Sequence, residues 1–214
     1  IYKGGEPHYQ VSFRDLTENA GEKNAARYSE FLVQQVQKQS ELTGLPSSGG
    51  NKTNSVSDDP FVQASEKNNS ASPAGLWKMP LTVEVHYTDG SFDKKEVWVE
   101  KPTEAIRINI PAGKKIDFAL FDPDNSVMKS VSFNKSFDML KAQAMKAGNM
   151  LDRYDAVSAM SSVDIERKRD FLVSLFNNKE KASFYSIKAE IIRQISTDNN
   201  KLSTDLIKKA LSDP

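Results

Sequence analysis

The sequence predicts a multidomain chain, an all-β antiparallel sandwich followed by an all-α domain of helical hairpins. Three observations carry that expectation. Through the first 135 residues, short apolar runs alternate with polar residues at the period of a half-buried strand. From Ser136 onward the apolar positions recur at three- and four-residue spacing, the period of a helix face. Turn-forming residues punctuate both halves. The expected domains are 1–135, with a mobile insert at about 46–75, and 136–214.

The strands follow in order. His8 to Phe13 sets Tyr9, Val11 and Phe13 against Gln10 and Ser12, and Pro7 suits the entry to an edge strand. Phe31 to Lys38 is a second strand. Leu81, Val83, Val85 and Tyr87 face one way in a third, with Thr82, Glu84 and His86 on the other face. Asp89-Gly90 follows as a two-residue hairpin signal, since a type I′ turn needs positive φ at both central positions. The return strand places Val97 and Val99 opposite Trp98. Ile106, Ile108 and Ile110 make the next strand, and Pro111-Ala112-Gly113 turns the chain. Ile116, Phe118 and Leu120 make another, and Val127, Val131 and Phe133 the last. Short strands with hairpin turns at this spacing argue an antiparallel sandwich.

Between Pro46 and Gly75 the rhythm stops. Serine, asparagine, glycine and proline dominate, and Phe61 and Val62 are nearly the only large apolar residues. Such a segment buries too little surface to offset its ordering entropy and reads as a long mobile loop. Asn51-Lys52-Thr53 and Asn68-Asn69-Ser70 fit glycosylation acceptors, a chance match in so Asn- and Ser-rich a stretch.

The helices follow. Phe137, Leu140 and Ala144 form the first stripe. Met150 or Leu151, Tyr154 and Val157 form the second, after Gly148-Asn149. Ile165, Leu172, Leu175 and Phe176 form the third, with Ser161 or Ser162 as N-cap. Phe184, Ile187, Ile191 and Ile195 form the most regular stripe, and Leu202, Leu206, Ala210 and Leu211 the fifth. Ile187 and Ile191 are expected in a helical core. Tyr154-Asp155-Ala156 and Ile187-Lys188-Ala189 match at a spacing of 33 residues (187 minus 154), in the range of helical-hairpin repeats.

Composition excludes several classes of function. Lys plus Arg and Asp plus Glu are balanced, 29 against 29, so no net basic field draws nucleic acid or an anionic membrane. The longest cationic run, Arg167-Lys168-Arg169, is flanked by Glu166 and Asp170 and reads as a solvated helix face. Without cysteine there is no disulfide, no thiolate zinc site and no cysteine nucleophile, and the compartment is left open. No apolar run approaches the roughly 20 residues that span a bilayer. The start at Ile1-Tyr2-Lys3, without initiator methionine or signal peptide, predicts an internal cut in a longer protein.

Reactive constellations are missing. A zinc hydrolase needs two histidines at i and i+4 so that both imidazoles meet one ion. This chain has two histidines in all, His8 and His86, which read as exposed strand residues. Asp122-Pro123-Asp124-Asn125 lacks the glycine and distant glutamate of a calcium loop and reads as a tight turn. Gly4-Gly5 and Gly49-Gly50 open no helix after a buried strand and are not phosphate loops, and no Gly-x-Ser-x-Gly elbow occurs. Trp77 and Trp98 could form a sugar platform, though a sandwich uses such aromatics as core or seam. The sequence thus predicts no catalytic, cofactor-binding or metal-ligating residue.

The order of the pieces carries a resemblance. Gly4-Gly5-Glu6-Pro7 leading into the strand Tyr9 to Phe13 resembles the exit from the catalytic domain of zinc aminopeptidases of the aminopeptidase N family. Leu32-Val33-Gln34-Gln35, Pro80 to Val85 with Asp89-Gly90, and Val97 to Lys101 are similar to that family's following strands. Phe118 to Pro123, then Val127 to Phe133, resembles its Phe-Asp-Pro turn and lysine-bearing strand. Asp152-Arg153-Tyr154-Asp155-Ala156 looks like its Arg-Tyr/Trp-Ala helix. The resemblance spans nearly the whole chain outside the 46–75 insert. It implies an immunoglobulin-like sandwich and a HEAT-like helical domain, a spacer and a partial chamber cover for a peptidase that removes N-terminal residues. It also implies that zinc sits in a catalytic domain outside this chain, so no cofactor is expected here. The implied partner is the parent's own catalytic domain, with peptide met only through that parent and no nucleic acid or membrane. Two rival expectations are an interaction scaffold from a catalytically inactive relative and an extracellular binding module.

Overall fold

The structure, a computed structural model, describes residues 7–18, 26–36, 76–123 and 125–212. Seven strands run in chain order: β1 (His8–Glu18), β2 (Ala26–Val36), β3 (Met79–Tyr87), β4 (Phe92–Val99), β5 (Thr103–Asn109), β6 (Ile116–Phe121) and β7 (Ser130–Phe133). Five α-helices follow: α1 (Phe137–Lys146), α2 (Met150–Ala159), α3 (Ile165–Asn177), α4 (Tyr185–Ile195) and α5 (Lys201–Leu211). The strands form a four-stranded sheet, β5-β2-β1-β7, and a three-stranded sheet, β4-β3-β6. The expected loop at 46–75, with Asn51 and Asn68, lies outside the described residues.

The chain divides into two compact units. The first draws on Ile1–Thr82, Lys95–Ala112 and Asn125–Asn134, the second on Val83–Lys94, Gly113–Asp124 and Lys135–Pro214. This overturns the expected all-β sandwich followed by an all-α domain. The fold is mixed α/β, and β6 with parts of β3 and β4 shares a unit with the helices. Neither an immunoglobulin-like sandwich nor a separate HEAT-like domain describes it. The physical reason lies on β6: Phe118 and Leu120 are buried with Ala147, and Met139 and Ala142 of α1 pack against them. Lys146 at the end of α1 adds an ion pair to Asp117 at 2.6 Å.

In the first unit β1 pairs antiparallel with β2, matching Phe13 to Phe31 and Val11 to Val33, while Phe31 meets Ile106 of β5. Tyr9, Val11, Phe31, Val33, Ile106 and Ile108 are buried, as alternation predicts for one face of a sheet. Phe13 meets Phe31 edge-on at 4.9 Å. The last strand departs from expectation: β7 joins β1 in parallel, His8 opposite Ser130 and Val11 opposite Phe133. On β2 the buried Glu30 receives Arg14 at 3.3 Å and Arg107 at 2.7 Å. Gln35 pairs with the backbone of Trp77 through both amide atoms, donating to its carbonyl at 2.8 Å and accepting its N–H at 2.9 Å. On the outer strand β5 the Arg107 carbonyl accepts the Lys95 ammonium at 3.0 Å.

In the second unit Val83, Val85 and Tyr87 are buried, in line with the alternation of β3. The turn after β3 differs from the expected type I′ pair. The Gly90 N–H donates to the Tyr87 carbonyl at 3.0 Å, and the Tyr87 N–H donates to Ser91 at 2.9 Å. Gly90 has φ +86°, whereas Asp89 is not among the positive-φ residues. The loop is therefore three residues long, a tight turn closed by a left-handed glycine, which needs positive φ only once.

The helical core gathers Leu140, Val157, Met160, Leu172, Leu175, Ile187, Ile191 and Ile195. Side chains from Ser136, Asn149 and Asn200 cap α1, α2 and α5 by accepting backbone N–H groups of Met139, Leu151 and Leu202. Helix α3 differs from expectation: its N-cap is Asp164, and Ser161 and Ser162 lie in a short 3₁₀ turn, Met160–Ser162.

Candidate functional site

The residues singled out by sequence scatter over both units. Gly4-Gly5 and Gly49-Gly50 lie outside the described residues, as does Asp124 of the Asp-Pro turn. Asp122 and Asn125 hold positive φ, 49° and 45°, and Asp122 is buried. Trp98 is 64% exposed, against the expectation of core or seam, and Trp77 is half-buried.

The Arg167-Lys168-Arg169 run also departs from its reading as a solvated face. Lys168 is buried and its ammonium donates to the Met160 carbonyl at 2.8 Å. Arg167 lies over the Phe137 ring, and Arg169 grips Asp198 through two bonds of 2.5 and 3.0 Å. Successive helix positions point about 100° apart, so three neighbouring cations meet three different environments.

Other buried or half-buried polar groups are hydrogen-bonded within the helical unit. The Lys135 ammonium donates to Gln143 at 2.6 Å, and Gln143 donates to the Asp152 carbonyl at 2.7 Å. Burial drives the Lys135 amine down to about 7, against the pull of Asp152 and Asp155. Glu190, buried on α4, accepts Arg193 at 2.5 and 2.7 Å and Gln194 at 2.7 Å. These bonds hold its carboxyl below the usual range in spite of burial, which pushes the other way.

The two histidines sit in different units. His86 is sandwiched between Phe118, 4.3 Å between centroids, and Phe92 at 5.0 Å, and its Nε2 meets Glu84 at 2.9 Å. Both rings lie nearly parallel to the imidazole, so His86 serves the aromatic packing of its sheet. His8 stands at the start of β1 beside the outer strand β7. Its Nδ1 lies 2.8 Å from the Ser130 hydroxyl and its Nε2 lies 3.3 Å from the Ser132 hydroxyl. Among the described residues no group of three His, Cys, Asp or Glu side chains is placed to hold a metal ion. The candidate site is therefore the His8, Ser130 and Ser132 group. Neither serine stands out in the sequence, because residues 122 and 124 positions away meet His8 only through the parallel strand pairing.

No family model matches the chain, and no curated protein matches it in sequence. Among solved structures, the crystal structure of Legionella pneumophila aminopeptidase A in complex with aspartic acid matches with a TM-score of 0.52 and 12% identity. The match covers 97% of this chain and 22% of that chain, so this chain spans about a fifth of that aminopeptidase. At that identity the likeness is one of fold: this chain is built like a segment of an aminopeptidase.

Proposed function

We propose that this chain is a non-catalytic accessory segment of a zinc-dependent aminopeptidase of the aminopeptidase N family, serving as spacer and chamber-covering scaffold. The observation that carries the reading is the fold likeness, which runs along 97% of this chain yet takes up only 22% of a solved aminopeptidase. The order of strand motifs ending in Phe121-Asp122-Pro123 supports it independently. In this reading the metal belongs to a catalytic domain outside the chain. Zinc would supply Lewis acidity in that domain, and this chain's residues would contribute packing around it.

The test compares this chain with the longer protein that contains it, on aminoacyl-anilide substrates with and without a zinc chelator. Chelator-sensitive release by the longer protein, and none by this chain, is expected. Chelator-sensitive activity in this chain alone, or an inert zinc-loaded longer protein, would refute the proposal. An inert protein with a degraded zinc motif would favour the interaction scaffold instead.

A further inference from the structure

The pairing of β7 with β1 builds a group that the accessory reading leaves unused. Parallel register sets Ser130 opposite His8 and Ser132 opposite Gln10, so the two serines flank the imidazole from one face of β7. With its proton on Nδ1, the ring donates to Ser130 Oγ at 2.8 Å, and its Nε2 lone pair is left to accept from Ser132 Oγ at 3.3 Å. A serine nucleophile needs a base within reach of its hydroxyl, and that base needs its second nitrogen held. Both conditions are present. Ser132 is exposed, and His8 and Ser130 are half-buried. Among the described residues β7 is the outer strand of its sheet, with no further strand beside it. The Ser130 N–H donates inward to the Pro7 carbonyl at 2.9 Å. Backbone groups alternate along a strand, so the Val131 N–H turns to the outer edge, a donor one residue from Ser132 of the kind a developing oxyanion uses.

We propose that Ser132 is a nucleophile activated by His8, with Ser130 as positioning residue, and that it accepts an acyl group from small activated esters. In the step, Ser132 Oγ forms a bond to the ester carbonyl carbon while its proton passes to His8 Nε2. The ester C–O bond breaks, and the leaving alcohol takes that proton. Water then attacks the acyl-serine by the same route in reverse, releasing the acid. A hydroxyl, not a carboxylate, stands behind the imidazole, so the imidazolium is weakly supported and turnover is slow. The acylated serine accumulates.

The experiment treats the purified chain with p-nitrophenyl acetate and follows nitrophenolate release, with mass spectrometry to locate the acetyl group. A burst approaching one equivalent per chain, with acetyl on Ser132, is expected. Ser132→Ala removes the burst, and His8→Gln slows it about a hundredfold or more. Ser130→Ala keeps the acetyl on Ser132 but moves the pH profile of the burst, which a merely structural serine leaves in place. Circular dichroism checks that each variant folds. Acetyl found only on lysines, or a burst unchanged in His8→Gln, would overturn the proposal. A zinc chelator leaves this burst untouched, so its failure and the failure of the aminopeptidase reading are told apart.

Discussion

Truncating Ile191 to alanine removes three carbon atoms from a side chain with 0% exposure at the centre of the helical core. At about 0.8 kcal/mol per buried methylene, those carbons carry about 2.4 kcal/mol of transfer free energy. Its neighbours Leu172, Leu175, Ile187 and Ile195 are each at most 1% exposed and sit on two helices, α3 and α4, so the site collapses only partly. The residual void adds about 24 cal/mol per Å³, which brings the expected loss to about 2–5 kcal/mol. Urea unfolding followed by the helical circular dichroism band measures it as a shift in midpoint at unchanged slope. Trp77 and Trp98 both belong to the first unit, so their fluorescence reports the four-stranded sheet's unit in the same titration. Leu211→Ala is the control, since that side chain is 84% exposed and its loss should stay within about 0.5 kcal/mol. A loss at Ile191 below about 0.5 kcal/mol, or one equal to the control, would refute the packing argument.

Two further predictions concern pH. Burial lowers the Lys135 amine from 10.5 to about 7, so the unfolded chain holds that proton more tightly. The resulting penalty is complete below about pH 7 and fades as pH rises toward 10.5. Lys135→Met should therefore stabilise the helical unit by up to a few kcal/mol near pH 6, with the gain shrinking toward pH 10, as urea midpoints across that window would record. A gain independent of pH would show that the amine keeps its ordinary affinity for protons. Asp198 is held well below its usual range, first by the Arg169 guanidinium and then by the Ser203 hydroxyl, at 2.6 Å. Its stabilisation is present above the unfolded value near 3.8 and is lost as pH falls below it, so acid unfolding should flatten in Asp198→Asn. Parallel acid limbs in both proteins would argue against the pair.

Alternation located the strands well where one face is buried: Leu81, Val83, Val85 and Tyr87 are all at most 2% exposed. Helical spacing likewise placed Ile187, Ile191 and Ile195 in a core. Alternation says which face is covered, however, and not by what. Phe118 and Leu120 read as strand residues of a sandwich, yet the groups buried with them and packed on them come from α1 and its cap. That distinction depends on a contact between segments that no local period encodes. The parallel union of β1 and β7 was hidden for the same reason, and with it the approach of Ser130 and Ser132 to His8. Charge patterning misled at Lys168, because a flanking acid on each side looks like solvent exposure whether or not the middle cation turns inward.

The Lys95 ammonium resting on the Arg107 carbonyl has a consequence for behaviour at high concentration. Among the described strands β5 stands at the end of its sheet, and an outer strand offers its backbone as a template for any extended segment that drifts alongside. A newcomer seeking that template must first evict an exposed cation and take away its carbonyl acceptor. Edge-to-edge growth is discouraged by one side chain, at no cost to the strand pairing within.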